Sequence, residues 1–98
     1  MSVLENINHK LYTLHSILSE SDSYPYSLSS GTHIHGIAIS NNSNSDAMTV
    51  IITQRRDGKE IQIPVRASQN FESRVKELQQ LAVVTDSSSY NIALYERG

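Results

Sequence analysis

The sequence contains no cysteine and no tryptophan, and it has only one phenylalanine and two prolines among its 98 residues. Without cysteine the chain can form no disulfide, no thiolate zinc site and no thiol nucleophile. Small secreted domains usually depend on disulfides, so this absence favours an intracellular, cytoplasmic setting. Hydrophobic residues make up 38% of the chain, which is a small supply for the core of a single domain spanning residues 1–98. We therefore expect a homodimer, in which a second copy of the chain shares the burial.

Positive charge is also scarce. Eight lysines and arginines stand against ten aspartates and glutamates, so the formal net charge is −2. The basic residues form no stripe of the kind that binds nucleic acid. No apolar run approaches the roughly 20 residues that span a bilayer, and the N-terminal segment does not resemble a signal peptide. We expect neither nucleic acid nor a membrane as a partner.

Two segments show the three- and four-residue spacing of apolar side chains that is typical of helices. Residues 2–20 predict a first helix, and residues 70–82 predict a second. The apolar stripe of the second helix consists of Phe71, Val75, Leu78 and Ala82, and that of the first includes Leu4, Ile7, Leu11, Leu14 and Leu18. The first stripe resembles a short a/d seam, so it predicts packing on the domain's own sheet and a dimer seam formed by Leu4, Leu11 and Leu18.

Four segments alternate apolar and polar residues as strands do. They cover residues 33–40, 47–54, 59–66 and 90–97. Asp57-Gly58 predicts a hairpin between the second and the third of them, and Gly36 indicates a bulge in the first. Pro64 cannot donate a backbone hydrogen bond, so the third strand either lies at a sheet edge or ends at Pro64. The order α-β-β-β-α-β predicts an α+β fold: a small antiparallel sheet, made of a three-stranded meander plus a C-terminal strand, with two helices packed on one face.

The alternation also predicts which side chains meet the core. The inward set is Ile37, Ile39, Met48, Val50, Ile52, Ile61, Ile63, Val65, Tyr90, Ile92 and Leu94. Ile34 and Ala38 lie on the opposite face of the first strand, and this semi-polar face also carries Thr49, Ile51, Thr53, Gln62, Ala93 and Tyr95. Such a face suits either water or a second subunit.

His33 and His35 lie one residue apart, so an unbroken strand would present both imidazoles on one face. A zinc site needs at least one more His, Asp or Glu ligand, and the sequence offers none at a recognisable spacing. A serine nucleophile needs a base and a strained turn to hold it, and no such motif is present. The sequence therefore predicts no metal, no cofactor and no enzymatic activity.

The loop at residues 21–32 carries Tyr24, Tyr26 and Leu28. Its aromatic rings either close the end of the core or form a contact surface, since tyrosine combines a large apolar area with a hydroxyl. We predict a non-enzymatic binding protein that acts by contact with another protein, as an inhibitor, adaptor or small chaperone of the kind found among phage and bacterial accessory proteins. The residues predicted to contact that partner are Tyr24, Tyr26, Leu28, His33, His35, Arg55 and Arg56.

A second hypothesis is a small anionic ligand such as a nucleotide, bound across a homo-oligomer interface. The stretch Ser29-Ser30-Gly31-Thr32 offers hydroxyl and backbone N–H donors to an anion. Arg55 and Arg56 would add guanidinium groups, which recognise phosphate through two hydrogen bonds at once. The stretch contains no phosphate-binding glycine motif, so this hypothesis rests on residue types alone.

Overall fold

The computed structural model describes residues 12–85, 87 and 89–97, with Arg97 described by its backbone alone. These residues form eight strands and no helix, so the predicted α+β fold is wrong. None of them belongs to a helix long and apolar enough to cross a membrane. The strands are β1 (Tyr12–Ser19), β2 (Tyr26–Ser27), β3 (Ile34–Asn41), β4 (Met48–Gln54), β5 (Glu60–Val65), β6 (Asn70–Arg74), β7 (Leu78–Thr85) and β8 (Tyr90–Arg97).

The strands form two four-stranded antiparallel sheets. Sheet A has the order β1-β8-β3-β6, and sheet B has the order β2-β7-β4-β5. All consecutive strands except β4 and β5 lie in different sheets, and this arrangement is a jelly-roll sandwich. The β4–β5 hairpin predicted from Asp57-Gly58 is confirmed, and Gly58 has the left-handed φ of 68° that favours glycine there. The three-stranded meander is wrong, because β3 lies in the opposite sheet from β4 and β5.

A bulge in β1 explains why this strand resembles a helix in the sequence. Leu14 pairs with Tyr95 and Ser16 pairs with Leu94, so His15 is an extra residue. The bulge puts Leu14 and Ile17 on the same outer face although they are three residues apart, which is helical spacing. Residues 2–11 of the predicted helix lie outside the described residues.

The second predicted helix is wrong for a related reason. Residues 70–82 form β6, a short connection and the first part of β7. Leu78 pairs with Gln54, whereas Gln80 pairs with the preceding residue of β4, so β7 also carries an extra residue. Both Leu78 and Leu81 therefore face the core at a spacing of three, and each is fully buried.

The core lies between the two sheets, and the predicted inward faces supply most of it. All members of the predicted inward set are buried except Ile61, which is 36% exposed. The core of buried hydrophobic residues comprises Leu18, Ile34, Ile37, Ile39, Met48, Val50, Ile52, Ile63, Val65, Leu78, Leu81, Tyr90, Ile92 and Leu94. The bulge expected near Gly36 is confirmed by a register shift between Ile34 and Gly36 in the β3–β8 pairing.

A buried polar network closes one end of the sandwich. The Asn41 side chain is 1% exposed. Its amide Nδ2 donates to the carbonyl oxygens of Asp46 at 2.8 Å and Arg66 at 3.2 Å. Its Oδ1 accepts from the Ser43 backbone N–H at 3.2 Å and from the Ser87 hydroxyl at 3.1 Å. One side chain therefore joins three connecting segments at this end, which we call the Asn41 end.

Candidate functional site

The opposite end of the sandwich collects most of the positive charge. We define the hairpin end as residues 28–35, 54–60 and 74–77. It contains five of the eight lysines and arginines but only three of the ten acidic residues. Because the whole chain has a net charge of −2, this end is basic while the remainder of the molecule is acidic.

Backbone hydrogen bonds bring the three segments of the hairpin end together. The Arg55 N–H donates to the Glu77 carbonyl at 2.8 Å, and the Val75 N–H donates to the His35 carbonyl at 2.9 Å. These bonds tie the β4–β5 turn and the start of β3 to the β6–β7 connection. Side chains that lie far apart in the sequence therefore occupy one surface.

Arg55 holds the loop that precedes β3. Its guanidinium donates to the carbonyl oxygens of Ser29 at 2.8 Å and Thr32 at 2.9 Å, with longer contacts of 3.3 Å to Leu28 and 3.4 Å to Ser30. The planar fork of arginine suits several carbonyls at once. Arg55 is therefore committed to the loop, which makes it a positioning residue for any ligand at this end.

His33 and Glu77 form a side-chain pair beside Arg55. The His33 Nδ1 contacts Glu77 Oε1, and the same oxygen lies 3.4 Å from Arg55 Nη1. The hydrogen bond from His33 holds the pKa of the Glu77 carboxyl below its usual range, with smaller contributions from the charges of His33, Arg55 and His35. Among the described residues, no hydroxyl group forms a hydrogen bond with the His33 ring.

The lowered pKa of Glu77 predicts a loss of stability in acid. A carboxyl whose pKa is lower in the folded than in the unfolded state stabilises the fold above its unfolded pKa, near about 4.3, and loses that contribution as the pH falls through the folded value. We expect the stability difference between wild type and Glu77→Gln to be largest at neutral pH and to vanish in strong acid. Urea unfolding across the acid range measures it, and a difference that grows on acidification would contradict the assignment.

His35 and Arg56 border an open cavity of about 330 Å³ together with Val75, Lys76 and Glu77. Arg56 and Lys76 are exposed. Neither side chain forms a hydrogen bond or an ion pair with another described residue. These two cations are therefore free to meet an external anion, in contrast to Arg55.

The tyrosine loop does not converge with the histidines. Tyr24, Tyr26 and Leu28 are partly buried and pack against the core. The Tyr24 hydroxyl donates to the Ser19 carbonyl at 2.7 Å, and its ring lies 6.4 Å from the Tyr90 ring, on the side of the Asn41 end. Burial, followed by the neighbouring Tyr90, raises the pKa of the Tyr24 phenol. Of the three loop residues only Leu28 reaches the hairpin end, where its N–H donates to the Gln79 carbonyl.

The residues predicted for self-association lie in different places. Leu18 belongs to β1 and is buried in the core at 3% exposure, facing Ile92 across the β1–β8 pair. Leu4 and Leu11 lie outside the described residues. The exposed apolar side chains of β1 are instead Leu14 at 49% and Ile17 at 59%.

Sequence reasoning missed Lys76, Glu77 and Gln54 as parts of this end. Lys76 and Glu77 belonged to the predicted second helix, which is absent from the described residues. Gln54 is the polar last residue of a predicted strand. No local signal marks them, because their proximity to His33 and Arg56 depends on pairing between distant segments. In the part of the chain that the structure describes, no three His, Asp or Glu side chains lie close enough to hold a metal ion.

No family model, no curated protein and no solved structure matches the chain.

Proposed function

We propose that the protein is a non-enzymatic binding protein that acts by contact with an acidic segment of another protein, docked at the hairpin end. The observation that carries the proposal is the pair of free cations, Arg56 and Lys76, beside an open cavity on a chain that is acidic elsewhere. The roles of inhibitor, adaptor or small chaperone in the cytoplasm all remain compatible with such a contact.

Charge and shape at the hairpin end both suit a carboxylate-rich partner. Arg56 and Lys76 provide positive charge and Val75 provides apolar surface, while the Glu77 carboxylate in the same lining is paired with His33 and Arg55. Complementary charge speeds association and selects the partner more than it adds affinity. Arg55 orders the adjoining loop in advance, which reduces the entropy lost when a partner docks.

Titration with a glutamate-rich peptide, followed by amide chemical shifts, tests the proposal. We expect shifts confined to the hairpin end and an affinity that falls as salt is added. The double variant Arg56→Gln/Lys76→Gln should weaken binding by about tenfold or more, since charge-assisted hydrogen bonds are lost. The matched control is Arg66→Gln, which removes an exposed arginine at the Asn41 end and should bind as the wild type does.

Three outcomes would overturn the proposal. One is an absence of peptide shifts at low salt, and another is equal weakening by Arg66→Gln. Binding of ATP without binding of the peptide would also overturn it, in favour of the small anionic ligand considered from the sequence.

The edges of the two sheets favour self-association as well. Edge strands are usually protected by proline, charge or short length. β5 contains Pro64, β6 contains Glu72 and Arg74, and β2 has two residues. β1 has eight residues and contains no proline and no Lys, Arg, Asp or Glu. We propose that β1 of a second copy pairs with β1 at the edge of sheet A. Because β1 contains no Lys, Arg, Asp or Glu, this pairing brings no two such residues of like charge together.

Light scattering during size exclusion tests the pairing of β1 with a second copy. We expect a dimer for the wild type and a monomer for Ile17→Lys, because a lysine on an edge strand opposes pairing. Val84→Lys is the matched control, since Val84 is 63% exposed and lies on β7 in the other sheet. It should remain dimeric, and a monomeric wild type would refute the pairing.

A further inference from the structure

A second cavity opens between the two sheets where β5 and β6 form their edges. Its volume is about 270 Å³, at the small end for a ligand site. Its apolar wall comprises Ile52, Ile63, Phe71 and Val75, and polar atoms come from Gln54 and from Lys76 at the mouth. The wall belongs to both sheets, so an apolar molecule there would extend the core outward.

Gln54 is the unusual member of this wall. It is the last inward-facing residue of β4 and is 8% exposed. Its backbone is fully used, since the N–H donates to the Lys59 carbonyl and the carbonyl accepts from the Gly58 N–H, each at 2.9 Å. Its side-chain amide forms no hydrogen bond with another described residue, and no fully buried side-chain N or O atom in the described part of the chain lacks a partner. The Gln54 amide atoms are therefore open to solvent, and a molecule in the cavity that Gln54 borders can reach them.

The charge around this cavity has one sign. Arg74 and Lys76 both border it, and no described aspartate or glutamate does. Neither cation forms a hydrogen bond or an ion pair with another described side chain. A molecule that enters with a negative group therefore meets positive charge without competition from a protein carboxylate.

We infer that this cavity binds a small aliphatic or aromatic carboxylate. The apolar body lies between the sheets against Phe71 and Ile63, which removes it from water. The carboxylate oxygens accept hydrogen bonds from the Gln54 amide and from Lys76 at the mouth. The inference goes beyond the proposed function. The two cavities are neighbours that share Val75 and Lys76, but Gln54 borders only this one and Arg56 borders only the other, so variants of Gln54 and Arg56 distinguish the two proposals.

Titration with hexanoate, 1-hexanol and hexylamine tests the site, with amide chemical shifts as the readout. We expect hexanoate to shift residues of β4, β5 and β6 around the cavity. Hexanol should bind at least about tenfold more weakly and hexylamine more weakly still, because each lacks the carboxylate that pairs with Lys76. An aliphatic acid that binds no better than its alcohol would overturn the inference.

Three variants sharpen the test. Gln54→Leu should weaken hexanoate by about tenfold, since it removes the amide that donates to the carboxylate. Lys76→Gln should weaken hexanoate by about tenfold and leave hexanol unchanged, and Arg66→Gln should bind hexanoate as the wild type does. A Gln54→Leu protein that binds hexanoate as the wild type does would refute the role of the amide.

The same variants separate this inference from the proposed function. Arg56→Gln should affect the peptide alone, and Gln54→Leu should affect hexanoate alone. If both ligands respond to both variants, the two cavities are one site, and the carboxylate site as stated here is wrong.

Discussion

Replacing Asn41 by leucine is expected to lower the free energy of unfolding by about 3 kcal/mol. The substitution keeps the size of a side chain that is 1% exposed and removes every hydrogen bond it makes. The carbonyl oxygens of Asp46 and Arg66 would then lose their Asn41 donor inside the fold. Urea unfolding measures the change, and Asn42→Ala serves as the control because Asn42 is exposed.

The variant Asn41→Asp separates loss of a donor from loss of volume. It keeps the acceptor for Ser43 and Ser87 but directs a carboxylate at carbonyl oxygens. Its pKa should be raised in the folded state, so the folded protein binds the proton more tightly than the unfolded one does. The destabilisation caused by this variant should therefore shrink as the pH falls. A destabilisation that is independent of pH would contradict the network.

Replacing Arg55 by glutamine is expected to destabilise the protein by about 2 kcal/mol, because charge-assisted hydrogen bonds to a cluster of carbonyls are lost. The Arg55 side chain is 22% exposed, so solvent screening reduces the effect only in part. Arg55→Lys should recover less than half of the loss, since an ammonium group cannot match the guanidinium fork.

Hydrogen exchange locates the effect of the Arg55 variants. The amides of the loop at residues 28–33 should exchange faster in Arg55→Gln, while those of the β3–β8 pair should change no more than the global stability does. Arg56→Gln is the matched control, and as an exposed substitution it should stay within about 0.5 kcal/mol of the wild type. Equal effects of the Arg55 and Arg56 variants would refute the assignment of Arg55 to the loop.

The strands in which apolar side chains recur at every second residue could be predicted from the sequence. β3, β4, β5 and β8 lie close to their expected bounds, and their inward faces are correct except at Ile61, which is partly exposed, and at Ile34. Simple alternation places Ile34 on the outer face with Ala38, but the bulge in β3 turns it into the core. β1 and β7 could not, because each contains an extra residue that changes the apolar spacing from two to three. A bulged strand and a helical turn then share one pattern.

Apart from the β4–β5 hairpin, the pairing of strands could not be predicted, since every other connection crosses from one sheet to the other. The apolar pattern of a strand is the same whether the next strand pairs with it in one sheet or packs against it from the opposite sheet. For the same reason, the sequence did not indicate half of the residues that meet at the hairpin end. His33 and Arg56 were recognised as candidates, whereas their neighbours Glu77 and Lys76 became visible only with the β6–β7 connection in place.

The position of β8 between β1 and β3 has a consequence for synthesis of the chain. Sheet A lacks the strand that joins β1 to β3 until residues 90–97 have emerged from the ribosome, so β1 cannot join this sheet before then. Contacts between such distant segments also slow folding. A nascent chain stalled before Tyr90 should therefore display the apolar inner faces of β1 and β3 to chaperones.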